Sequence, residues 1–327
     1  PIKLAKRRLH VMKSNEIWKN ESNYSNWELR KHRFMDEMRP IFFQYIGITP
    51  NSSVLDSGCG TGVLTRYIAH GLKIGCIGEQ LAQPTTSPGK IIGFDISKNL
   101  VDYGNTRVTD ENLSDVCKLI EADGFNLPFE ENTFDAVTNY TYLGVLSDPV
   151  AGLKEMIRVC KSGGTVSAVF PGKRVSWKGE YPSDFSNRLN ELYEKQEEIY
   201  KKYILNPSAM YFQSSEWPSS RYPKMFDMCG LKSIHIYSVA SAFSYSDCRW
   251  PIDYRKYQIN TGISDDIRII THRSQITGFE KYGFTKKDFA ELIELLNEKQ
   301  KYLLDNIETD RSFELDAGHQ IIVTGTK

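Results

Sequence analysis

Residues 56–62 combine one acid, Asp56, with glycines at three alternate positions, Gly58, Gly60 and Gly62. A short apolar run precedes them and a stretch of helical character follows. Glycine lets the backbone adopt positive φ angles and approach a ligand closely. A turn of this kind lies at the carboxyl end of a strand, where open α/β sheets bind their ligands. The segment therefore predicts a site for a small organic ligand.

The spacing of the glycines argues against two common ligands. A dinucleotide-binding turn has the pattern G-x-G-x-x-G and places a pyrophosphate at the helix N-terminus. Here the sixth position is Val63, and the third glycine comes one residue early. A loop that binds nucleoside triphosphates needs Gly-Lys followed by Ser or Thr, which this segment lacks. The turn by itself leaves its ligand open.

The elements that must position this turn follow from the pattern of apolar residues. From about residue 52, short apolar runs alternate with amphipathic stretches of helical length. Such alternation predicts a mostly parallel sheet with helices on both faces. The expected strands are 53–56, 90–96, 116–122, 134–140, 165–170, 231–239 and 319–326, and the helices between them are 60–71, 98–112 and 149–160.

Beyond Pro171 the alternation stops. A charged helix is expected at 187–203, and residues between 240 and 319 form an insertion, too long for a turn, that includes a helix at 286–306. The predicted organisation is an N-terminal helical cap segment at 1–45, a core at 46–240, a helical insertion at 241–312 that caps a substrate, and a final core strand at 313–327.

Composition limits the partners. The chain has 41 basic and 41 acidic residues, so it has no global field to attract a polyanion, which disfavours nucleic acid. No apolar run approaches the roughly 18 residues that span a bilayer. Six scattered cysteines form no C-x-x-C pair, so no metal site is expected and a reducing, cytoplasmic location is predicted.

Three further segments, taken in order with the glycine turn, carry a resemblance to a known family. They are Ile91–Ser97, Glu121–Phe129, and Phe134–Val137 with its continuation at Arg158–Thr165. Together they resemble the motifs of class I (Rossmann-like) S-adenosylmethionine (SAM) dependent methyltransferases, of methyltransferase type 11 and ubiquinone-menaquinone methyltransferase-like. The resemblance covers about residues 50–172 and 231–239. It implies an α/β fold with a Rossmann-like, doubly wound, mostly parallel seven-stranded sheet and helical cap insertions.

The resemblance implies SAM as the cofactor and a role for each segment. The glycine turn passes under the methionine part, and Asp56 helps to hold the amino group. Asp95 accepts hydrogen bonds from both ribose hydroxyls, as a carboxylate can from a diol. Asp123 accepts from the adenine amino group, beside a backbone N–H of Gly124 or Phe125. The predicted cofactor-binding residues are Asp56, Gly58, Cys59, Gly60, Gly62, Asp95, Ile96, Asp123, Gly124, Phe125, Asn139 and Tyr140.

Aromatic residues outside the matched segments predict an apolar acceptor pocket beneath a lid. The candidate substrate-binding residues are Tyr24, Trp27, Tyr142, Trp177, Trp217 and Tyr245. No catalytic base stands out, because the six histidines show no functional pattern. Alignment and exclusion of water are expected to drive an in-line methyl transfer.

The favoured function is therefore SAM-dependent methyl transfer to a small molecule at nitrogen, sulfur, oxygen or activated carbon. Two alternatives stay open. One is an RNA or protein methyltransferase that uses residues 1–33, with nine Lys or Arg against three Glu, as a basic anchor. The other is a non-catalytic SAM-binding protein. Neither the acceptor nor the oligomeric state follows from the sequence.

Overall fold

The structure is a computed structural model that describes residues 39–74, 88–172, 175–177, 183–204, 217–248, 250, 252–309 and 315–327. These residues divide into two compact units. The described parts of 1–172, 212–241 and 319–327 form the first unit, and those of 173–211 and 242–318 form the second. No helix among the described residues is long and apolar enough to cross a membrane.

The strands form one mostly parallel sheet. They are β1 (Ser53–Ser57), β2 (Lys90–Asp95), β3 (Cys117–Glu121), β4 (Phe134–Asn139), β5 (Cys160–Pro171), β6 (Val175–Trp177), β7 (Lys232–Ser244) and β8 (Leu315–Thr326). In the first unit the order is β3-β2-β1-β4-β5-β8, and β7 also pairs with β8. Neighbours from β3 to β5 run parallel, and β8 is antiparallel to β5. The predicted doubly wound sheet is confirmed, and the short β6 is an eighth strand beyond the seven expected.

The parallel register brings the carboxyl ends of the central strands together. Ser57 of β1 lies beside Phe94 of β2 and beside Asn139 of β4, and Asp95 of β2 lies beside Glu121 of β3. The residues that follow these four strands therefore meet at one edge of the sheet. This is the edge at which open α/β sheets bind ligands.

The helices are α1 (Arg39–Tyr45), α2 (Val63–Ile74), α3 (Lys98–Asp110), α4 (Tyr142–Val145), α5 (Pro149–Val159), α6 (Ser183–Ile199), α7 (Tyr222–Met228), α8 (Ile252–Ser274) and α9 (Lys286–Asp305). Helix α2 begins at Val63 rather than at the predicted residue 60. The cause is local, because Gly60 and Gly62 have φ angles of 58° and 77°, which a right-handed helix does not allow. Helix α5 begins as its sequence predicts, since Asp148 accepts a hydrogen bond from Ala151 N at 3.0 Å.

The core of the first unit has two layers because successive strand residues point to opposite faces of the sheet. Val54 and its neighbour Leu55 belong to different apolar clusters, as do Ala136 and Val137. Helices α1, α2 and α3 contribute buried residues to the first cluster, and α5 and α7 contribute to the second. Helices thus cover both faces of the sheet. This packed core supports the loops at the carboxyl edge of the strands.

The second unit is built on helices α6, α8 and α9, with β6 pairing antiparallel to Leu315–Ala317. Its apolar cluster includes Leu189, Leu192, Ile259, Ile263, Phe289, Leu292 and Leu296. Helix α9 begins with a capping box, in which Thr285 and Asp288 each bond the backbone N–H of the other. The predicted helix at 286–306 is present, and α8 was not predicted.

A buried arginine connects three parts of this second unit. Arg255 of α8 is 6% exposed and donates to the carbonyl oxygens of Trp250, Tyr245 and Ile307 at 3.2, 3.1 and 2.7 Å. Replacing Arg255 by methionine removes the donor of these three hydrogen bonds, including the buried bond to the carbonyl of Ile307. We expect the free energy of unfolding to fall by about 3 kcal/mol. Arg268→Met on the exposed face of the same helix is the matched control, and an equal effect of both substitutions in denaturant titrations contradicts the prediction.

Candidate active site

The glycine turn joins β1 to α2 and is held by its own backbone. Cys59 N donates to Phe94 O at 2.8 Å, which ties the turn to β2, and Gly62 N donates to Cys59 O at 2.9 Å. Gly58, Gly60 and Gly62 all have positive φ. A Cβ atom at Gly60 would meet none of the described residues within 4 Å, so this part of the turn faces open space among them. The turn is therefore a preformed backbone cradle with room beside it.

Asp56 lies at the end of β1 and is 1% exposed. Its Oδ2 accepts a hydrogen bond from the hydroxyl of Thr65 at 2.6 Å. Burial raises the pKa of Asp56 from 3.8 to about 7, and the nearby charge of Asp95 adds to the increase. A cation beside Asp56 would stabilise its ionised form, since opposite charges lower the pKa of a carboxyl group.

Asp95 ends β2 and connects two loops. Its Oδ2 accepts from Gly60 N at 3.0 Å, and its Oδ1 accepts from Ser97 N at 2.9 Å. The carboxylate thus joins the glycine turn to the first residues before α3. Burial raises its pKa as well, although the backbone hydrogen bonds oppose the increase. Ile96, the next residue, is half-buried beside it.

The segment after β3 continues along the same edge of the sheet. Ala122 N donates to the carbonyl of Asp95 at 3.0 Å. The exposed Asp123 accepts from Phe125 N at 2.9 Å through its Oδ1. Of the two backbone donors expected here, the N–H of Phe125 is thus already bonded within the protein. Gly124 lies between Asp123 and Phe125, and an added Cβ at Gly124 would overlap the hydroxyl of Tyr142.

Two residues of α5 bind the backbone of the segment after β3, and neither was predicted from the sequence. Glu155 Oε1 accepts from Leu127 N at 2.8 Å. Arg158 donates to the carbonyls of Phe129 and Leu127 at 2.9 and 3.2 Å and pairs with Glu155 at 2.8 Å. The ion pair holds the pKa of Glu155 below its usual range. Their i, i+3 spacing places both on one helix face, but nothing in the sequence names the loop they bind.

The predicted residues after β4 have contacts of their own. Asn139 is 1% exposed, and its amide donates to the carbonyl of Ser167 on β5 at 3.0 Å. Tyr140 forms an isolated parallel bridge with Val169. Thr141 has a φ of 63°, a left-handed backbone that is uncommon for a residue other than glycine. The amide of Asn139 is therefore turned toward β5, and its contact with a cofactor stays a prediction.

Three buried hydroxyls around the turn are without a hydrogen-bond partner among the described residues. They belong to Ser57, Thr61 and Tyr142. Buried polar groups are nearly always bonded in folded proteins, so these three hydroxyls lack a bond that a ligand with hydrogen-bonding atoms would supply. Ser57 and Thr61 are direct neighbours of the glycines, and the sequence alone predicts no role for either. Unpaired hydroxyls, an open glycine cradle and two acids, the buried Asp56 and the half-buried Asp95, fit a polar, cationic cofactor such as SAM.

The candidate acceptor residues divide between the two units. Tyr142 and Trp217 are buried in the first unit, and Tyr245 is half-buried in the second. Trp177 lies in β6, whereas Tyr24 and Trp27 lie outside the described residues. In the part of the chain that the structure describes, no group of three or more His, Cys, Asp or Glu side chains is arranged to hold a metal ion.

The chain is similar to known methyltransferases. Residues 55–168 match a family described as "Methyltransferase domain", which includes the glycine turn, Asp95 and Asp123. A demethylmenaquinone methyltransferase of Bacillus cereus is 30% identical over 192 residues, which is 58% of this chain and 73% of that protein. One of Bacillus anthracis is 39% identical over 119 residues, 36% of this chain and 44% of the relative.

Among solved structures, phosphoethanolamine N-methyltransferase 2 of Haemonchus contortus with bound S-adenosylhomocysteine is 14% identical, with a TM-score of 0.43 over 90% of this chain and 52% of that one. The family match and the relative from Bacillus cereus agree with the motifs and with the sheet. The chain belongs to the class I SAM-dependent methyltransferases.

Proposed function

We propose that this chain transfers the methyl group of SAM to a small-molecule acceptor, with residues of the described edge holding the cofactor. The observation that carries the proposal is the position of two acids, the buried Asp56 and the half-buried Asp95, beside an open glycine turn. SAM, when bound, supplies a methyl group activated by a positively charged sulfur. In this proposal the turn carries the methionine part, Asp95 the ribose, and Asp123 the adenine.

The protein contributes mainly by positioning the reacting groups and by excluding water from them. Burial raises the pKa of the Cys59 thiol well above its usual range, so this cysteine stays protonated at neutral pH. Burial also raises the pKa of Tyr142, which removes it as a base. An acceptor that needs no proton removed before attack therefore suits this site best, such as a neutral amine, a thiolate or an electron-rich carbon.

Relatives give the first acceptor class to test. The proteins named demethylmenaquinone methyltransferase point to quinone-type molecules, whose reduced ring contains nucleophilic carbon. The match to the methyltransferase domain ends at residue 168, before any residue of the second unit. Because acceptor choice resides in segments added to a common core, we infer that residues outside the matched range select the acceptor.

A transfer assay with methyl-labelled SAM tests the proposal. Acceptors are reduced quinones, thiols, amines and phenols, with bulk RNA and a protein mixture as separate arms. We expect label in at least one small-molecule arm, and we expect Asp95→Ala to abolish it. Label only in RNA or protein identifies the macromolecular alternative. Binding of SAM without label in any arm supports a non-catalytic SAM-binding protein and contradicts the proposal.

A further inference from the structure

The side chain of Tyr142 lies between the two loops assigned to opposite ends of the cofactor. It is 8% exposed. A Cβ atom at Gly58 would overlap its ring, and one at Gly124 would overlap its hydroxyl oxygen. Phe94 contacts the same ring edge-on, with centroids 5.8 Å apart. Tyr142 thus reaches from the glycine turn to the segment after β3.

The backbone before Tyr142 is fixed in a strained conformation. Thr141 has a φ of 63°, and it is held there by a hydrogen bond from its own N–H to Val169 O at 2.8 Å. Its hydroxyl donates to the carbonyl of Tyr140 at 2.6 Å. Strained residues of this kind persist where the surrounding structure holds them, and they cluster at functional sites. The strain sets the direction in which Tyr142 leaves the chain.

The hydroxyl of Tyr142 is buried and has no hydrogen-bond partner among the described residues. Burial of a hydroxyl without a partner is unfavourable, and a phenylalanine ring would fill the same space without that penalty. Packing therefore accounts for an aromatic ring at position 142, but not for the hydroxyl group of Tyr142. Burial raises the pKa of Tyr142, and the charges of Asp123 and Asp95, the two acids assigned to adenine and ribose, raise it further.

We propose that Tyr142 is a positioning residue for the adenosine half of SAM. Its ring forms a wall between the glycine turn and the segment after β3, and its hydroxyl donates a hydrogen bond to an acceptor atom of the bound adenosine. This assigns Tyr142 to the cofactor rather than to the methyl acceptor, for which it was a candidate. The proposal rests on SAM as the cofactor and is independent of which molecule is methylated.

The test compares Tyr142→Phe with the wild-type protein by calorimetric titration and thermal unfolding, without any acceptor present. The ligands are S-adenosylhomocysteine and methylthioadenosine, which retains the adenosine but lacks the amino acid. We expect Tyr142→Phe to weaken both ligands by the same factor, about five- to tenfold. The melting temperature of the ligand-free protein should stay the same or rise, because an unpaired buried hydroxyl has been removed.

Tyr222→Phe is the matched control, since Tyr222 is also buried, 3% exposed, in the same apolar cluster, and packs edge-on against Phe170. It should leave both affinities unchanged. Unchanged affinities in Tyr142→Phe overturn the proposal, and so does a loss confined to S-adenosylhomocysteine, which would place the contact on the amino-acid half. If the wild-type protein binds neither ligand, the cofactor assignment itself fails.

Discussion

Replacing Asp95 by alanine is expected to weaken the binding of SAM by about 100-fold or more in a calorimetric titration. A hydrogen bond to a charged group contributes roughly 1.5–3 kcal/mol, and two ribose hydroxyls would lose their acceptor together. The same substitution removes the acceptor of Gly60 N, 3.0 Å from Asp95 Oδ2. The substitution therefore removes one hydrogen bond of the glycine turn together with the contact to the ribose.

Asp102→Ala is the control for this experiment. Asp102 lies on α3 close to Asp95 in sequence, and its ion pair with Lys98 is exposed, so it should not affect SAM binding. A SAM analogue without the ribose hydroxyls separates the two losses. Asp95→Ala should weaken this analogue much less than it weakens SAM, because the bonds to the hydroxyls are already missing. Equal weakening of both ligands shows that the ribose assignment is wrong.

Replacing Asp56 by asparagine is expected to move stability and cofactor affinity in opposite directions. Burial raises the pKa of Asp56 from 3.8 to about 7, so the folded protein binds a proton more tightly than the unfolded chain. Stability from this group is complete below pH 4 and is lost as the pH rises toward 7. At pH 8 the neutral asparagine should therefore raise the free energy of unfolding, by up to about 4 kcal/mol.

The affinity for SAM should meanwhile fall at least tenfold, because a charged hydrogen-bond acceptor for the amino group is lost. In the wild-type protein, affinity should rise with pH up to about 7 as Asp56 ionises. Asp56→Asn should lack this rise, which is measured by titrations between pH 5.5 and 7.5. A wild-type affinity that does not change over this range contradicts the assignment of Asp56, whatever its effect on stability.

Local sequence patterns predict most strands of the first unit. The apolar runs predict the strands because a parallel strand buried on both faces is a short apolar run, and the acids at the strand ends follow from that placement. The start of α2 moved from residue 60 to Val63 because positive φ angles at Gly60 and Gly62 prevent a helix there. Gly60 and Asp95 are 35 residues apart, yet the order of the motifs predicted that both belong to one site.

The remaining features depend on contacts between distant residues. Glu155 and Arg158 hold the loop at Leu127 and Phe129, and a sequence does not show which backbone groups a charged helix face will bind. Helix α8 was missed because its buried positions include Arg255, whose charge weakens the apolar pattern. The grouping of 173–211 with 242–318 likewise depends on packing rather than on any local pattern.

The backbone hydrogen bonds of the glycine turn also affect the thermodynamics of cofactor binding. Cys59 N, Gly60 N and Gly62 N are all bonded to other residues of the protein, so the fold itself orders the turn. A binding loop that is ordered in advance loses little conformational entropy on association, so more of the contact energy appears as affinity. The heat-capacity change on binding should then reflect the apolar surface that the ligand covers, without a large added contribution from folding of the loop.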